Sequence, residues 1–187
     1  MNELYFVSGN IHKYLEIQSI LENKAPDINL KFFKRNIIEI QEETIQKIAL
    51  EKSKSAYNIV KKPIIIEDDG LFIKSLNGFP GQYSSYVFRT IGNKGIIKLL
   101  KGQKEREAFF QAIIVYNNGL VNKIFTGQSN GIISTKITSG GWGYDPIFIP
   151  HKKDVTFATL NNNNKKNQFS HRRIALDKLL KWLKKTK

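Results

Sequence analysis

Apolar positions along this chain recur with two different spacings, which together predict a mixed α/β fold. Apolar runs that predict strands lie at residues 4–7, 30–38 and 64–66. Helical spacing predicts helices over residues 14–23, 42–60 and 92–101, and a last helix from residue 171 onward. Two further apolar stretches, 109–116 and 120–126, flank Asn117-Asn118-Gly119, which is a typical hairpin turn.

The predicted helix over residues 42–60 carries Lys52 and Lys54 on opposite faces. Its apolar stripe consists of Ile45, Ile48, Ala49, Ala56, Ile59 and Val60. At about 100° per residue, Lys52 falls in line with this stripe, whereas Lys54 points the opposite way. A lysine on a buried stripe has to extend to solvent or meet an anion, so we expect a carboxylate or phosphate beside Lys52.

Three adjacent carboxylates follow the apolar run at residues 64–66. That run is typical of a strand buried on both faces, and it is expected to end at Glu67, Asp68 and Asp69. Neighbouring carboxylates repel each other unless a cation neutralises them, and hard oxygen ligands select Mg²⁺ or Mn²⁺. The alternative is an acidic turn that faces solvent. An inward-facing Lys52 favours the first interpretation, in which the carboxylates have a cationic partner.

The segment Ser8-Gly9-Asn10-Ile11-His12-Lys13 lies between a predicted strand and a predicted helix. Backbone N–H groups, the helix dipole and the ammonium of Lys13 could hold phosphates there. The alternative is an ordinary turn in which Lys13 is solvated. This segment alone does not decide between the two.

Two later segments offer contacts for a nucleobase. Trp142 and Tyr144 lie on a glycine-rich loop where they could stack on a purine, and Asp145 could accept hydrogen bonds from its N–H groups. The alternative is that these aromatic side chains cap a core. His171 and Arg172 begin the last helix and could donate to a ligand, or they could be surface residues beside an N-cap. Residues 161–166 are polar and predict a surface loop.

Composition restricts the class of protein. A chain of 187 residues with 41% apolar residues suits one domain, or two small lobes around one cleft. It has no apolar run of about 18 residues and no secretory signal pattern, so neither a membrane span nor export is expected. Zero cysteines exclude disulfides, zinc–thiolate sites and cysteine catalysis. A cytoplasmic protein is expected.

The formal net charge of +14 raises the possibility of a nucleic-acid partner. The basic residues concentrate in the last helix and the residues before it. That helix could bind RNA, but such a basic helix is more often a solvated face, and a positive field also steers small polyanions. The acidic cluster would repel a phosphate chain, and basic and aromatic residues do not alternate along any strand. We therefore expect no nucleic-acid partner.

Taken in order, these segments resemble the inosine triphosphate pyrophosphatase (Ham1-like) family from end to end. The matching stretches are Ser8-Gly9-Asn10 with Lys13, Glu39-Ile40-Gln41, Glu67-Asp68-Asp69-Gly70-Leu71, Asn77-Gly78-Phe79-Pro80-Gly81 with Tyr83-Ser84, Gly143-Tyr144-Asp145-Pro146-Ile147-Phe148, Thr156-Phe157-Ala158 and Ser170-His171-Arg172. The order of seven motifs over the full length makes the resemblance specific.

The resemblance implies a single nucleoside-triphosphate pyrophosphatase domain over residues 1–187. Its fold would be an elongated mixed β-sheet flanked by helices, with two lobes around a central cleft. Its activity would be Mg²⁺-dependent hydrolysis of ITP, dITP and XTP to the monophosphate and pyrophosphate, which cleanses the nucleotide pool. Mn²⁺ is a possible substitute, and family members are commonly homodimers. A related pyrophosphatase for modified pyrimidine or methylated nucleotides is the competing hypothesis, which the loop at Trp142 disfavours.

The resemblance also implies a role for each matching residue. Glu39 and Asp68 match metal ligands, and Asp68 is also the expected proton acceptor for the attacking water. The triphosphate contacts would come from Ser8, Gly9, Asn10, Ile11, His12, Lys13, Lys52 and Lys166. The base pocket would comprise Trp142, Gly143, Tyr144, Asp145, His171 and Arg172. Lys52 would also assist catalysis by stabilising the departing pyrophosphate. Asp69 stands where the family usually has Ser or Thr, and adds negative charge beside the phosphates.

Overall fold

The computed structural model describes residues 3–38, 40–162 and 165–186. Its strands are β1 (Glu3–Ser8), β2 (Asn29–Lys34), β3 (Ile64–Ile73), β4 (Pro80–Gly81), β5 (Glu107–Asn117), β6 (Asn122–Ile133) and β7 (Phe148–Pro150). Its helices are α1 (Ile11–Lys24), α2 (Ile45–Val60), α3 (Ser84–Thr90), α4 (Gly92–Leu99), α5 (Phe157–Asn162) and α6 (His171–Lys185). Among these residues, no helix has the length and apolar character needed to cross a membrane. The prediction of a mixed α/β fold is confirmed.

The strands form a mixed sheet in the order β2-β1-β3-β5-β6-β7, and β4 pairs with β3. β1 runs parallel to both β2 and β3, whereas β4 is antiparallel to β3 and β7 is antiparallel to β6. The predicted hairpin turn connects β5 to β6, and the backbone N–H of Asn118 donates to the carbonyl oxygen of Val121 across it (3.2 Å). The chain folds into two compact units.

Unit 1 consists of the residues up to Asp68, Ala112–Gly127 and the residues from Arg172 onward. Its β3 segment is buried on both faces, as predicted. Ile65 packs into a cluster with the apolar sides of α1 and α6, while Ile64 and Ile66 pack with Ala56 of α2. This alternation follows from the strand period of two. The first part of β3, from Ile64 to Ile66, is therefore fixed in the interior of unit 1.

Unit 2 consists of Asp69–Gln111 and Gln128–His171. Its core contains aromatic side chains packed edge to face or obliquely, such as Phe110 and Phe157 against Phe148. Tyr144 also belongs to this core and is only 5% exposed. The loop that carries Trp142 is thus anchored by a neighbouring buried ring.

Several predicted boundaries were wrong. β2 ends at Lys34 rather than residue 38, and α2 begins at Ile45 because the Thr44 side chain caps it by accepting from the N–H of Lys47. Ile59, assigned to the buried stripe of α2, is 41% exposed. β3 does not end at Ile66, but continues through the acidic residues to Ile73. The carboxylates are therefore parts of a strand and not of a turn.

Candidate active site

The acidic residues of β3 point to alternate faces of the strand. Because side chains alternate along a strand, Glu67 and Asp69 share one face, and Asp68 lies on the other. The Glu67 side chain is fully buried, while those of Asp68 and Asp69 retain 17% and 15% exposure. A buried carboxylate needs charged or hydrogen-bonding partners, and each of these three has a basic neighbour.

Glu67 lies in a buried ion network in unit 1. Lys13 Nζ is 2.9 Å from Glu67 Oε2, and the Nε of Arg172 donates to Glu67 Oε1 at 3.1 Å. The Nη1 of Arg172 also donates to Glu16 Oε2 at 2.6 Å, and the arginine side chain is completely buried. Here α1 supplies Lys13 and Glu16, and α6 supplies Arg172. The alternative of a surface position for Arg172 is therefore wrong, because two carboxylates offset the cost of burying its charge.

The Lys52–Asp68 pair is a further charged contact in unit 1. Lys52 Nζ lies 3.2 Å from Asp68 Oδ2, and the lysine side chain is 12% exposed. Lys54 points away, is 54% exposed and pairs with Glu51 on its own helix. The helical periodicity predicted this difference, and the structure confirms it. Asp68 therefore has a fixed ammonium beside it.

The segment between β1 and α1 has the predicted strand–turn–helix form. The Asn10 side-chain oxygen caps α1 by accepting from the backbone N–H groups of His12 (2.9 Å) and Lys13 (3.4 Å). The N–H of Asn10 in turn donates to the hydroxyl of Ser8 (3.1 Å). These two helix N–H groups already have an acceptor in Asn10. The ammonium of Lys13 has three N–H donors and can contact a phosphate as well as Glu67, so it is the stronger candidate for a phosphate contact.

A buried lysine–aspartate pair organises the loop of unit 2. Lys166 Nζ is 2.8 Å from Asp145 Oδ2, with side-chain exposures of 3% and 5%. The same ammonium lies 5.1 Å from the centroid of the Trp142 ring, a cation–π distance. The expectation that residues 161–166 form a surface loop was wrong for Lys166. Its place in the interior is set by Asp145, a residue far away in the sequence.

The other loop residues have structural contacts of their own. The Tyr144 hydroxyl donates to the backbone carbonyl of Ser84 at 3.0 Å, and burial raises the pKa of its phenol well above the usual value. Because its ring is buried, Tyr144 caps the core and does not offer a face for stacking. Gly143 has a φ of 59°, and its carbonyl accepts from the Asn93 side chain (3.0 Å). Trp142 remains the candidate for stacking.

His171 is a buried residue of unit 2. Its ring stacks on Phe110, with centroids 4.6 Å apart and planes at 10°, and its Nε2 is 3.5 Å from Asp69 Oδ2. Asp69 is thus associated with an imidazole. Asp69 therefore places a carboxylate next to His171.

A metal site was predicted at Glu39 and Asp68. Glu39 lies outside the described residues, and residues 3–38, 40–162 and 165–186 contain no group of three or more His, Asp or Glu side chains that could hold a metal ion. The partly exposed carboxylate of Asp68 has the hard oxygen donors that suit a divalent cation such as Mg²⁺. The donor chemistry therefore fits, and the predicted ligand pair is untested.

Glu16 was missed by the sequence analysis. It lies three residues after Lys13, so both side chains fall on the same face of α1. This spacing was visible in the sequence. Its partner Arg172 was not, because 156 positions separate the two residues along the chain.

Comparison with known proteins gives a consistent result over the full length. A relative in Korarchaeum cryptofilum, named dITP/XTP pyrophosphatase, is 42% identical and covers 96% of this chain and 95% of its own. A relative of the same name in Thermococcus kodakarensis is also 42% identical and covers 97% of both chains. The solved structure of a HAM1 protein from Coxiella burnetii superposes with a TM-score of 0.83 at 28% identity, covering 99% of this chain and all of the other. The sequence profile of the Ham1 family matches residues 4–182, and the chain belongs to that family.

Proposed function

We propose that this chain hydrolyses the non-standard purine nucleotides ITP, dITP and XTP to their monophosphates and pyrophosphate, and so cleanses the nucleotide pool. The observation that carries the proposal is the Lys52–Asp68 pair, a partly exposed carboxylate with an ammonium at 3.2 Å. The names of full-length relatives support the same chemistry. We further propose that residues 1–187 act as one domain, that the protein is a homodimer, and that it works in the cytoplasm, where these nucleotides are used.

The unit 1 residues are assigned to the triphosphate. Asp68 would accept the proton of the water that attacks the α-phosphorus. Lys13 and Lys52 would stabilise the charge that develops on the departing pyrophosphate. Glu39 and Asp68 would hold Mg²⁺, with Mn²⁺ as a substitute, and the bound cation would neutralise part of the triphosphate charge. Ser8 to His12 would contact the phosphates from the turn before α1.

The unit 2 residues are assigned to the base. Trp142 would stack on the purine, and Asp145 would accept from its ring N–H. We assign Lys166 to this pocket rather than to the triphosphate, because its ammonium contacts Asp145 and the Trp142 ring. His171, and Arg172 of unit 1, are the proposed donors to the 6-keto oxygen. The 6-amino group of adenine would meet these donors with another donor, which costs about 1–3 kcal/mol per mismatch.

The test is pyrophosphate release from a panel of nucleotides with and without Mg²⁺. The panel contains ITP, dITP, XTP, ATP, GTP, a modified pyrimidine nucleotide and a methylated nucleotide. We expect a steep preference for ITP, dITP or XTP over ATP. Equal kcat/KM for ATP and ITP would refute the base-pocket assignment, and a preference for the modified pyrimidine or the methylated nucleotide would identify a different pyrophosphatase.

Asp68→Asn tests the catalytic assignment in the same assay. We expect turnover to be lost with the fold intact, because an amide neither accepts the proton nor holds the cation equally well. Exposed Asp154→Asn is the control. Turnover of Asp68→Asn within about tenfold of the parent would remove Asp68 from this role.

A further inference from the structure

The turn between β5 and β6, residues 117–122, contacts α2 directly beside Lys52. The Asn117 side-chain amide donates to the backbone carbonyl of Ser53 at 3.3 Å, in a buried position. The Ser53 hydroxyl lies 3.2 Å from the side-chain oxygen of Asn122. One helical turn later, Gly119 approaches Tyr57 so closely that a Cβ on this glycine would lie 2.1 Å from the phenol oxygen. The β5–β6 turn therefore holds α2 at two successive turns of the helix.

The β5–β6 turn is itself rigid. The side-chain oxygen of Asn117 accepts from the N–H of Gly119 at 2.9 Å, and that of Asn118 accepts from the N–H groups of Leu120 and Val121 at 3.1 and 2.8 Å. Gly119 has a φ of 88°, a backbone conformation that glycine adopts without strain. A turn fixed in this way can hold the helix that packs on it in one orientation.

The rotation of α2 about its axis decides whether Lys52 reaches Asp68. The outer radius of an α-helix is about 5–6 Å, so a rotation of about 20° displaces a side-chain end by roughly 2 Å. A contact of 3.2 Å between Lys52 and Asp68 does not survive such a displacement. Ser53 follows Lys52 in the sequence, so any contact that fixes Ser53 also fixes the direction of Lys52.

We propose that Asn117, through Ser53 and the β5–β6 turn, is a positioning residue that holds the Lys52 ammonium against Asp68. It acts through α2 and touches no reacting atom. The proposal concerns the Lys52–Asp68 contact itself. Only its kinetic consequence rests on the proposed pyrophosphatase function.

Acetylation of lysine amines, followed by mass spectrometry, tests the positioning without any substrate. Lys52 is largely buried and paired, whereas Lys54 on the same helix is exposed and serves as the internal reference. In Asn117→Ala we expect acetylation of Lys52 to accelerate about fivefold, which corresponds to the loss of the one hydrogen bond from Asn117 to α2, with Lys54 unchanged. Leu120→Ala, at a 94% exposed position of the same turn, should leave both rates unchanged.

Circular dichroism first establishes that each variant is folded. If Asn117→Ala does not fold, Asn117→Ser replaces it, because a serine hydroxyl can still accept from the N–H of Gly119 but is too short to reach the carbonyl of Ser53. A smaller acceleration at Lys52 is then expected. Unchanged acetylation of Lys52 in a folded variant overturns the proposal.

A double-mutant cycle measures the kinetic consequence. We expect Asn117→Ala to lower kcat/KM by about fivefold to tenfold in the parent, and by less than about twofold in a Lys52→Met background. Equal losses in both backgrounds would show that Asn117 acts independently of Lys52, and would overturn the proposal. If the parent hydrolyses no nucleotide of the panel, the proposed function fails, and the acetylation result still decides the positioning.

Discussion

Lys52 and Lys54 lie two residues apart on α2 and have opposite surroundings. We expect Lys52→Met to lower kcat/KM by about 10²–10³, equivalent to roughly 3–4 kcal/mol, because a charge beside the reaction is lost. Lys54→Met should be nearly silent, as substitutions of exposed residues usually are. Steady-state kinetics with dITP measures both. Impaired Lys54→Met with unimpaired Lys52→Met would contradict the assignment.

Lys166 presents a different case, because its ammonium is buried against Asp145. Lys166→Met should lower the free energy of unfolding by about 3–5 kcal/mol, since it leaves a buried carboxylate without its ammonium. Urea unfolding measures this change. The exposed neighbour Lys165→Met is the control. Adding Asp145→Asn to Lys166→Met should restore most of the lost free energy of unfolding. If it does not, packing of the Lys166 side chain rather than its charge accounts for the loss.

Lys52 and Lys166 also show what a sequence alone can predict about the candidate site. The direction of Lys52 follows from the helical period, because the helix places each side chain at a fixed angle. The burial of Lys166 depends on Asp145, which lies 21 residues earlier on a different loop. No local pattern encodes that contact. The same holds for Arg172, whose carboxylate partners come from α1 and β3.

At the scale of elements, periodicity identified most helices and strands but not all of their ends. β3 extends through three carboxylates because α1, α2 and the start of α6 supply basic partners, which local sequence cannot reveal. α3 was not predicted, since residues 84–90 bury only Ser84 and Val87 and show little apolar periodicity. The predicted α4 was confirmed, because its apolar residues follow the helical period.

Helices α1 and α6 are joined by a charge contact that depends on pH. Burial raises the pKa of Asp177, but its bonds to Lys24 and Arg173 outweigh this and hold it below 3.8. A depressed carboxyl pKa stabilises the fold above the unfolded-state value, and that contribution disappears as the pH falls through the folded-state value. Asp177→Asn should therefore destabilise the protein at neutral pH, by less than about 1 kcal/mol because the pair is partly exposed.

Urea unfolding of the parent and of Asp177→Asn, at neutral pH and in acid below the folded-state pKa of Asp177, measures this contribution. The two proteins should differ at neutral pH and converge in acid. Asp154→Asn, at an exposed position, provides the comparison. A difference that persists unchanged in acid would exclude the ion pairs as its source.

At the scale of the whole molecule, neither unit is a continuous piece of chain. The backbone passes from one unit to the other at four points, after Asp68, Gln111, Gly127 and His171. β3, β5 and β6 each contribute residues to both units. No single cut at one of these points separates the two units, because at least one of the two resulting pieces contains residues of both.

This interleaving has a consequence for cooperativity, and the chain carries its own fluorescent reporters for it. Of its two tryptophans, Trp142 belongs to unit 2 and Trp182 to unit 1. Trp142→Phe and Trp182→Phe thus each leave a single emitter that follows one unit. Strands shared by both units should lose their order together. In each variant we therefore expect the midpoint of denaturant unfolding measured by tryptophan fluorescence to equal the midpoint measured by circular dichroism. A fluorescence midpoint that differs from the circular dichroism midpoint of the same variant would mean that the shared strands can lose their order in one unit while they stay ordered in the other.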